Sequence, residues 1–112
     1  MDKKISLFLE WTQNLLTNEK LAFENTINFI CNCFEIKFAG FFKSDNLKQS
    51  IISNSNSSWE DVGTKIDEVV KKNDLWKISF EIGNYIFHVE KLNKFSKEES
   101  IFLKSVVNVL KI

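Results

Sequence analysis

Apolar residues in the first third of the chain recur every three or four positions, which is the spacing that gathers them on one side of an α-helix. One helix is predicted over residues 2–16, and its apolar stripe consists of Ile5, Phe8, Leu9, Leu15 and Leu16, with Trp11 at its edge. A second helix is predicted to begin near Asn18, because asparagine is a favoured N-cap residue. Its apolar face carries Phe23, Ile27, Ile30 and Phe34.

The pattern changes after the second helix. Residues 35–43 are too short and too aromatic a run for another helix, and they predict a β-strand. Both faces of this strand are apolar, with Ile36, Phe38 and Phe42 on one and Ala39 and Phe41 on the other. Apolar residues on both faces are typical of a central, covered strand. Turn residues at 44–46 lead to a returning strand over 47–53.

A third helix is predicted after the polar loop of residues 54–58. Ser57 and Glu60 have the Ser-x-x-Glu spacing of a capping box, in which each side chain satisfies a backbone N–H at a helix start. The helix is expected to end near Asn73 and Asp74. Its buried positions are expected to be Val62, Ile66, Val69 and Val70.

A β-hairpin is the clearest local signal. Residues 76–82 alternate strictly between apolar and polar types, Gly83 and Asn84 form a two-residue turn, and residues 85–90 return. The turn fixes the register, so one face pairs Ile82 with Tyr85, Phe80 with Phe87 and Ile78 with Val89, and the other pairs Glu81 with Ile86, Ser79 with His88 and Lys77 with Glu90. The opposite charges of the last pair favour this register by roughly a few tenths of a kcal/mol.

A last helix completes the predicted fold. It begins with a second capping box, Ser96 with Glu99, and its buried stripe is Phe102, Leu103, Val106, Val107 and Leu110. The predicted order of elements is α-α-β-β-α-β-β-α. Helices that flank one antiparallel sheet make this an α+β fold. At 112 residues the chain is expected to form a single domain over 1–112.

Composition and charge exclude several classes of protein. With 44% hydrophobic residues, including 11 Phe and 3 Trp, the chain has the material for a packed core rather than for disorder. Its net charge is zero and it has no arginine, whereas a nucleic-acid-binding protein usually has a basic surplus. No apolar run approaches the roughly 20 residues of a membrane-spanning helix. Neither a nucleic-acid partner nor a membrane is therefore expected.

Cysteine usage and the first residues favour a cytoplasmic location. Cys31 and Cys33 are two residues apart on a predicted helix, so their side chains point about 200° apart and can neither bridge each other nor share a metal ion. The apolar stretch after the first charged residues is interrupted by Ser6 and ends at Glu10, which is atypical of a signal peptide.

His88 is the only histidine, so acid–base chemistry near neutral pH would centre on it. Ser79 opposite it, and Glu81 and Glu90 on the same face, suggest a Ser–His–carboxylate arrangement. Its context argues against catalysis, because the serine lies in mid-strand and no glycine-rich segment offers an oxyanion hole. Isolated glycines and scattered metal-ligand residues predict no phosphate loop, no cofactor and no metal site. The chain is expected not to be an enzyme.

Two stretches of the sequence resemble parts of a GAF domain. Residues 23–45 (F-E-N-T-I-N-F-I-C-N-C-F-E-I-K-F-A-G-F-F-K-S-D) resemble the opening helix and first strand of that family, in which a small-Gly-aromatic step like Ala39-Gly40-Phe41 is common. Residues 95–110 (F-S-K-E-E-S-I-F-L-K-S-V-V-N-V-L) resemble its final helix with a capped acidic start. The hairpin before them is in the matching place. Roadblock or longin-like modules are the second resemblance.

The resemblance implies a regulatory or signalling module that acts by association. GAF-like domains commonly pair through their first and last helices, so a homodimer or a complex with a signalling protein is expected. Apolar residues that one sheet face cannot cover are expected to form the interface. These are Phe8, Trp11, Leu15, Ile101 and Val109.

The alternative function is small-molecule sensing. A pocket would lie on the sheet face opposite the terminal helices, under a roof made by Trp59 and the loop of residues 54–58. A mostly apolar cleft with a few polar groups is typical of such sites. The residues expected to bind the ligand are Phe41, Trp59, Ser79, Ile86 and His88.

Overall fold

The computed structural model describes residues 3–13, 19–54, 62 and 65–111. Within these residues the chain forms three helices and one five-stranded antiparallel sheet, so the α+β class is confirmed. The elements in chain order are α1 (Lys3–Gln13), α2 (Glu19–Cys33), β1 (Phe38–Lys43), β2 (Asn46–Ser53), β3 (Val70–Lys72), β4 (Leu75–Ile82), β5 (Tyr85–Lys91) and α3 (Lys97–Leu110). No helix in the described ranges is both long enough and apolar enough to cross a membrane.

The sheet has the strand order β2-β1-β5-β4-β3, and each neighbouring pair is antiparallel. β1 therefore lies at an inner position between β2 and β5, as its two apolar faces predict. Its first five residues are buried and only Lys43 is exposed. The pairing of β1 with β5 sets Gly40 beside His88 and Phe41 beside Phe87.

The β4–β5 hairpin has the register that the sequence predicts. Every predicted cross-strand pair is present, from Ile82 with Tyr85 at the turn to Lys77 with Glu90 at the far end. Gly83 has a φ of 56°, a left-handed backbone conformation that glycine adopts without steric cost. The register is well specified because a slip of one residue would move every apolar side chain to the opposite face.

Residues 65–72 correct the prediction of a third helix. Val70–Lys72 forms strand β3 beside β4, and residues 65–69 are not helical. Asn73 and Asp74 have φ values of 54° and 63°, so they form a two-residue hairpin turn of the type I′ class rather than a helix end. Asn and Asp are among the residues that most readily adopt this backbone. The predicted capping box lies outside the described residues.

The helices cover one face of the sheet, which we call the helix face, and enclose the main core. Aromatic rings dominate its centre. Phe23 of α2 stacks on Phe41 of β1 with 4.0 Å between the ring centroids, and Phe41 stacks on Phe87 of β5 at 4.5 Å. These contacts join the second helix to two neighbouring strands.

The start of α3 is fixed by the predicted capping box. The Ser96 hydroxyl accepts from the Glu99 N–H, and the Glu99 carboxylate accepts from the Ser96 N–H. Lys91, the last residue of β5, also donates to Glu99 at 2.7 Å. Burial raises the pKa of Glu99, but the hydrogen bonds from Lys91 and Ser96 outweigh this effect and hold the pKa below its ordinary value. The helix start is therefore tied to the end of a strand.

Candidate functional site

The sheet face that points away from the helices, which we call the second face, carries a row of buried polar side chains. Alternation along β4 and β5 directs Lys77, Ser79, His88 and Glu90 to this face, since their apolar neighbours along each strand point to the helix face. Their exposed fractions range from 1% for His88 to 7% for Lys77. We call these four residues the polar row. Charged groups are almost never buried unless they are paired, so their partners define the site.

Hydrogen bonds and an ion pair connect the polar row from end to end. Ser79 Oγ lies 2.7 Å from His88 Nδ1, and His88 Nε2 lies 2.7 Å from Glu90 Oε2. The Lys77 ammonium lies 3.5 Å from the same carboxylate oxygen. An ionised carboxylate only accepts hydrogen bonds, so the ring donates from Nε2 and, when neutral, accepts from the Ser79 hydroxyl at Nδ1. Glu90 therefore fixes the tautomer of the histidine.

Glu90 keeps its negative charge although it is buried. Burial raises the pKa of its carboxyl group, but the hydrogen bond from His88 and the charge interactions with His88 and Lys77 outweigh this effect. The net result is a pKa below the ordinary value for glutamate. The second face therefore holds an ionised carboxylate between an ammonium group and an imidazole ring.

An apolar cluster packs beside the polar row. Its buried members come from β1, β5 and the segment before β3, and they are Phe38, Phe42, Val62 and Ile86. The Phe38 ring centroid lies 6.1 Å from that of His88. Gly40 lies opposite His88 in the sheet, and a Cβ there would be 2.9 Å from the Phe38 ring and 3.0 Å from Ser53 Cβ. Glycine at this position lets the phenyl ring lie close to the strand.

A small cavity of about 30 Å³ opens beside the polar row. Three members of the row line it: Lys77, Ser79 and His88. The other described residues that line it come from the segment that leads into β3 and from β3 itself: Lys65, Glu68, Val70 and Lys72. The cavity thus has a buried polar wall on one side and charged, exposed side chains on the other.

Two hydrogen bonds anchor the segment that covers this cavity. The Asp67 N–H donates to the carbonyl oxygen of Ser79 at 2.8 Å, and Ile66 forms a parallel bridge with the same residue. Lys104 of α3 donates to Asp67 Oδ1 at 2.9 Å. Asp67 has a φ of 59°, so the chain bends sharply here. One contact thus comes from β4 and the other from α3.

The polar row has the residue types of a hydrolytic triad, but its serine is not placed as a nucleophilic serine normally is. Ser79 is 2% exposed, it lies in the middle of β4, and its carbonyl group is already bonded to Asp67. A nucleophilic serine normally stands on an exposed turn, near N–H donors that stabilise the developing oxyanion. This arrangement is better suited to holding a charge distribution beside a cavity than to attacking a substrate.

Cys31 is not a competing reactive centre. Neither Cys31 nor Cys33 forms a disulfide within the part of the chain that the structure describes. Burial raises the pKa of the Cys31 thiol by more than the hydrogen bond from Asn54 lowers it, so this group stays protonated and is a poor nucleophile. Among the described residues, no group of three or more His, Cys, Asp or Glu side chains could hold a metal ion.

The structure brings together only part of the predicted pocket. Ser79 and His88 are in direct contact on the second face, and Ile86 lies on the same face in the adjoining apolar cluster. Phe41 is a correction, because its ring is stacked between Phe23 and Phe87 on the helix face and cannot line a cavity beside His88. Trp59 lies outside the described residues.

Trp11 corrects the predicted interface. Its side chain is 3% exposed, stacks on Phe29 with 5.1 Å between ring centroids, and donates from Nε1 to Thr26 Oγ1 at 2.9 Å. The ring therefore packs inside this chain, between α1 and α2. A tryptophan has a large apolar surface and one hydrogen-bond donor; here the surface is buried and the donor is hydrogen-bonded.

The other predicted interface residues differ in how far they are buried. Phe8 is half-buried and contacts Phe102 of α3 at 6.2 Å between ring centroids, while Val109 is partly buried against the main core. Ile101 is 58% exposed. Leu15 lies outside the described residues.

Sequence reasoning missed the side of the cavity formed by Lys65, Glu68 and Lys72. These residues were assigned to a helix, whereas the segment is irregular up to residue 69 and then becomes an edge strand. The signal that could have found them is the Asn73-Asp74 pair, a typical hairpin turn directly before the alternating residues of β4.

Comparisons of the chain with protein-family models, with curated proteins and with solved structures find no match. The resemblance to GAF domains therefore stays a prediction, and the function has to be argued from the site itself.

Proposed function

We propose that this chain is a non-catalytic regulatory domain that binds a small molecule on the second face of its sheet. The observation that carries the proposal is the cavity beside Lys77, Ser79 and His88. Ligand sites are concave and present a few polar groups in fixed positions, often with titratable residues whose protonation the protein controls. The polar row supplies such groups, and the β4–β5 ladder holds them in place.

The energetics of the polar row also favour a binding role. A buried ion pair such as Lys77 with Glu90 need not stabilise the fold, since apolar residues of similar volume often replace such pairs without lowering the free energy of unfolding. A row that serves only to fill the sheet would not need a charged pair, a histidine and a serine side by side. Beside a cavity, the same groups can exchange interactions with a ligand.

Ligand screening with a matched pair of serine variants tests this proposal. A panel of small metabolites would be screened by thermal shift, and each hit repeated on Ser79→Ala and on Ser105→Ala. Ser105 is an exposed serine of α3 that is not among the residues lining the cavity, and its hydroxyl donates to the Ile101 carbonyl. We expect the ligand-induced stabilisation to fall in Ser79→Ala and to persist in Ser105→Ala. Equal stabilisation of both variants would place binding elsewhere.

Native mass spectrometry of the purified protein complements the screen. It reports the number of subunits and any retained small molecule in one measurement. A reproducible added mass that is lost in Ser79→Ala would support the proposal and define the ligand by its mass. An added mass that is retained at the same occupancy in that variant would contradict the assignment of the site.

A second candidate function is association through α1 and α3, as the GAF resemblance implies. Two exposed apolar side chains support it, Leu9 of α1 at 46% and Ile101 of α3 at 58%. The Phe8 ring of α1 contacts the Phe102 ring of α3, so the two helices meet at this point. We expect a homodimer formed through α1 and α3 to cover both residues.

Sedimentation of two charge-introducing variants tests the second candidate. Ile101→Glu is expected to shift a dimer toward monomer, because a carboxylate would be buried in the apolar contact. Leu92→Glu is the matched control, since Leu92 is 56% exposed and belongs to neither helix. A wild-type protein that sediments as a monomer, or a dimer that both variants preserve, would contradict association through these helices.

A further inference from the structure

We infer that residues 65–68 open to let a ligand reach the polar row, and that the ion pair between Lys104 of α3 and Asp67 holds them closed. We call these four residues the cover segment. This inference rests on the proposed function and adds how access to its site is controlled. It is carried by the size of the cavity and by the contacts that hold the cover segment in place.

The closed cavity is too small for the ligand that the proposed function requires. Its volume is about 30 Å³. One water molecule needs roughly 10–15 Å³, whereas sites for small molecules usually have volumes of roughly 300–1,000 Å³. Ser79 and His88, which line this space, are only 2% and 1% exposed. A metabolite can therefore meet these side chains only after part of the lining has moved.

The cover segment is the part of the described lining that lies outside the sheet. It contributes Lys65 and Glu68, while the other described lining residues belong to β3, β4 and β5, which are held by strand pairing. Within the cover segment only Ile66 forms a bridge to a strand. The next residue, Val69, packs against the main core, and β3 begins at Val70. The cover segment can therefore swing away from the sheet with Val69 as its fixed end.

The contacts of the cover segment are those of a segment that can open while the core stays folded. The Asp67 N–H donates to the Ser79 carbonyl oxygen, and Ile66 packs beside the apolar cluster of the second face. Lys65 and Glu68 form an ion pair within the cover segment, so this pair does not hold it to the sheet. Three of the four side chains are exposed. Segments with little buried apolar surface open at a lower free energy than the core does.

An ion pair at the protein surface joins the cover segment to α3. The Lys104 ammonium donates to Asp67 Oδ1 at 2.9 Å, and the two side chains are 41% and 49% exposed. A surface ion pair changes an equilibrium constant by about two- to fivefold. This contact therefore biases the cover segment toward the closed position without locking it there.

His88 reports the opening, because it is the only histidine and is buried in the closed structure. Diethyl pyrocarbonate transfers an ethoxycarbonyl group to an accessible neutral imidazole, and the mass of the peptide that contains His88 gives the rate of modification. Below the unfolding transition, we expect this rate to change little with urea, because a local opening exposes little surface. A rate that rises with urea as steeply as global unfolding does would overturn the inference.

Three variants and a control test the ion pair. Asp67→Asn removes the charge but keeps a residue type that readily adopts the φ of 59° at this position, and Lys104→Gln removes the opposite charge. We expect each to speed the modification of His88 about two- to fivefold, and the double variant to be no faster than either alone. The matched control is Lys111→Gln, which removes a charge from an exposed position at the end of the same helix and should change the rate by less than about 1.5-fold.

The outcomes separate this inference from the proposed function. Local opening that responds to the variants as expected supports the inference, and a compound of the screen that acts through Ser79 should then slow the modification of His88. If such a compound is found but His88 is modified only on global unfolding, or if Lys111→Gln has the same effect as the ion-pair variants, the inference alone is overturned. If no compound stabilises the protein through Ser79, the proposed function is contradicted, and with it the role of the opening in ligand access.

Discussion

Replacing Glu90 with glutamine tests whether the charges of the polar row hold the second face together. Glu90→Gln keeps the volume of the side chain and an oxygen that can accept from His88, but it removes the negative charge 3.5 Å from the Lys77 ammonium. At that distance and an effective dielectric constant of about 20, the lost attraction is about 5 kcal/mol. Part of this is offset because the buried carboxylate no longer has to be desolvated.

The expected net loss in the free energy of unfolding is about 3 kcal/mol, which is typical when one partner of a buried ion pair is removed. Urea denaturation followed by tryptophan fluorescence would measure it. With a slope of about 1–3 kcal/mol per molar urea, the midpoint should fall by about 1–3 M. The matched control is Glu81→Gln, which removes an exposed carboxylate from the neighbouring strand β4 and should change stability by less than about 0.5 kcal/mol.

A second variant shows whether the loss comes from the uncompensated lysine. In Lys77→Met/Glu90→Gln both charges are absent, so we expect this double variant to be more stable than Glu90→Gln alone. A loss below about 1 kcal/mol in Glu90→Gln, the level of an exposed ion pair, would refute the reasoning. The same conclusion would follow if the double variant were the less stable of the two.

Three further predictions concern the dependence of stability on pH, the cap of α3 and the packing at Gly40. Folding lowers the pKa of Glu90 and of Glu99. Their contribution to stability is therefore complete above the unfolded pKa of about 4.3, and it is lost as the pH falls through their folded pKa values. Urea midpoints measured between neutral pH and pH 3 would show this loss. Ser96→Ala should reduce stability by about 1 kcal/mol through loss of the α3 cap, measured by thermal denaturation, and an unchanged melting temperature would contradict the capping role. Gly40→Ala should cost about 1–3 kcal/mol, because its methyl group would lie 2.9 Å from the Phe38 ring, and a variant as stable as wild type would show that the ring moves freely.

The parts of the fold that the sequence predicts well are those specified by local pattern and turn geometry. The β4–β5 hairpin is an example, because alternation and a two-residue turn leave one register. The cap of α3 at Ser96 is another, since two side chains three residues apart determine it. Both features follow from neighbours along the chain.

The prediction of a third helix was wrong because the same residues fit two patterns, the spacing of a helix and the pairing of a strand. Ile66, Val69 and Val70 fit helical spacing, but Val70 and Lys72 can equally pair with a strand that follows the turn at Asn73 and Asp74. Pairing with β4 supplies backbone hydrogen bonds to residues 70–72, so the local hairpin outweighed the helical spacing.

The candidate site could be predicted only where one hairpin contains it. Ser79 and His88 were placed together correctly, because they are cross-strand partners within the hairpin. Phe41 was assigned to the wrong face because the pairing of β1 with β5 is formed between residues far apart in the sequence, and no local pattern fixes which side of β1 joins which side of β5. The prediction that Trp11 belongs to an interface was wrong for a related reason, because its hydrogen-bond partner Thr26 lies on another helix.

The short strand β3 has a consequence for how the protein behaves in a crowded solution. It forms one end of the five-stranded sheet, and the backbone groups along a sheet edge are a template on which another polypeptide can add a strand. β3 is only three residues long and two of them, Lys71 and Lys72, are exposed lysines, a combination that natural proteins use to prevent aggregation through sheet edges. Substituting Lys72 to change what the cavity binds would therefore also remove one of the charges that keep separate molecules apart.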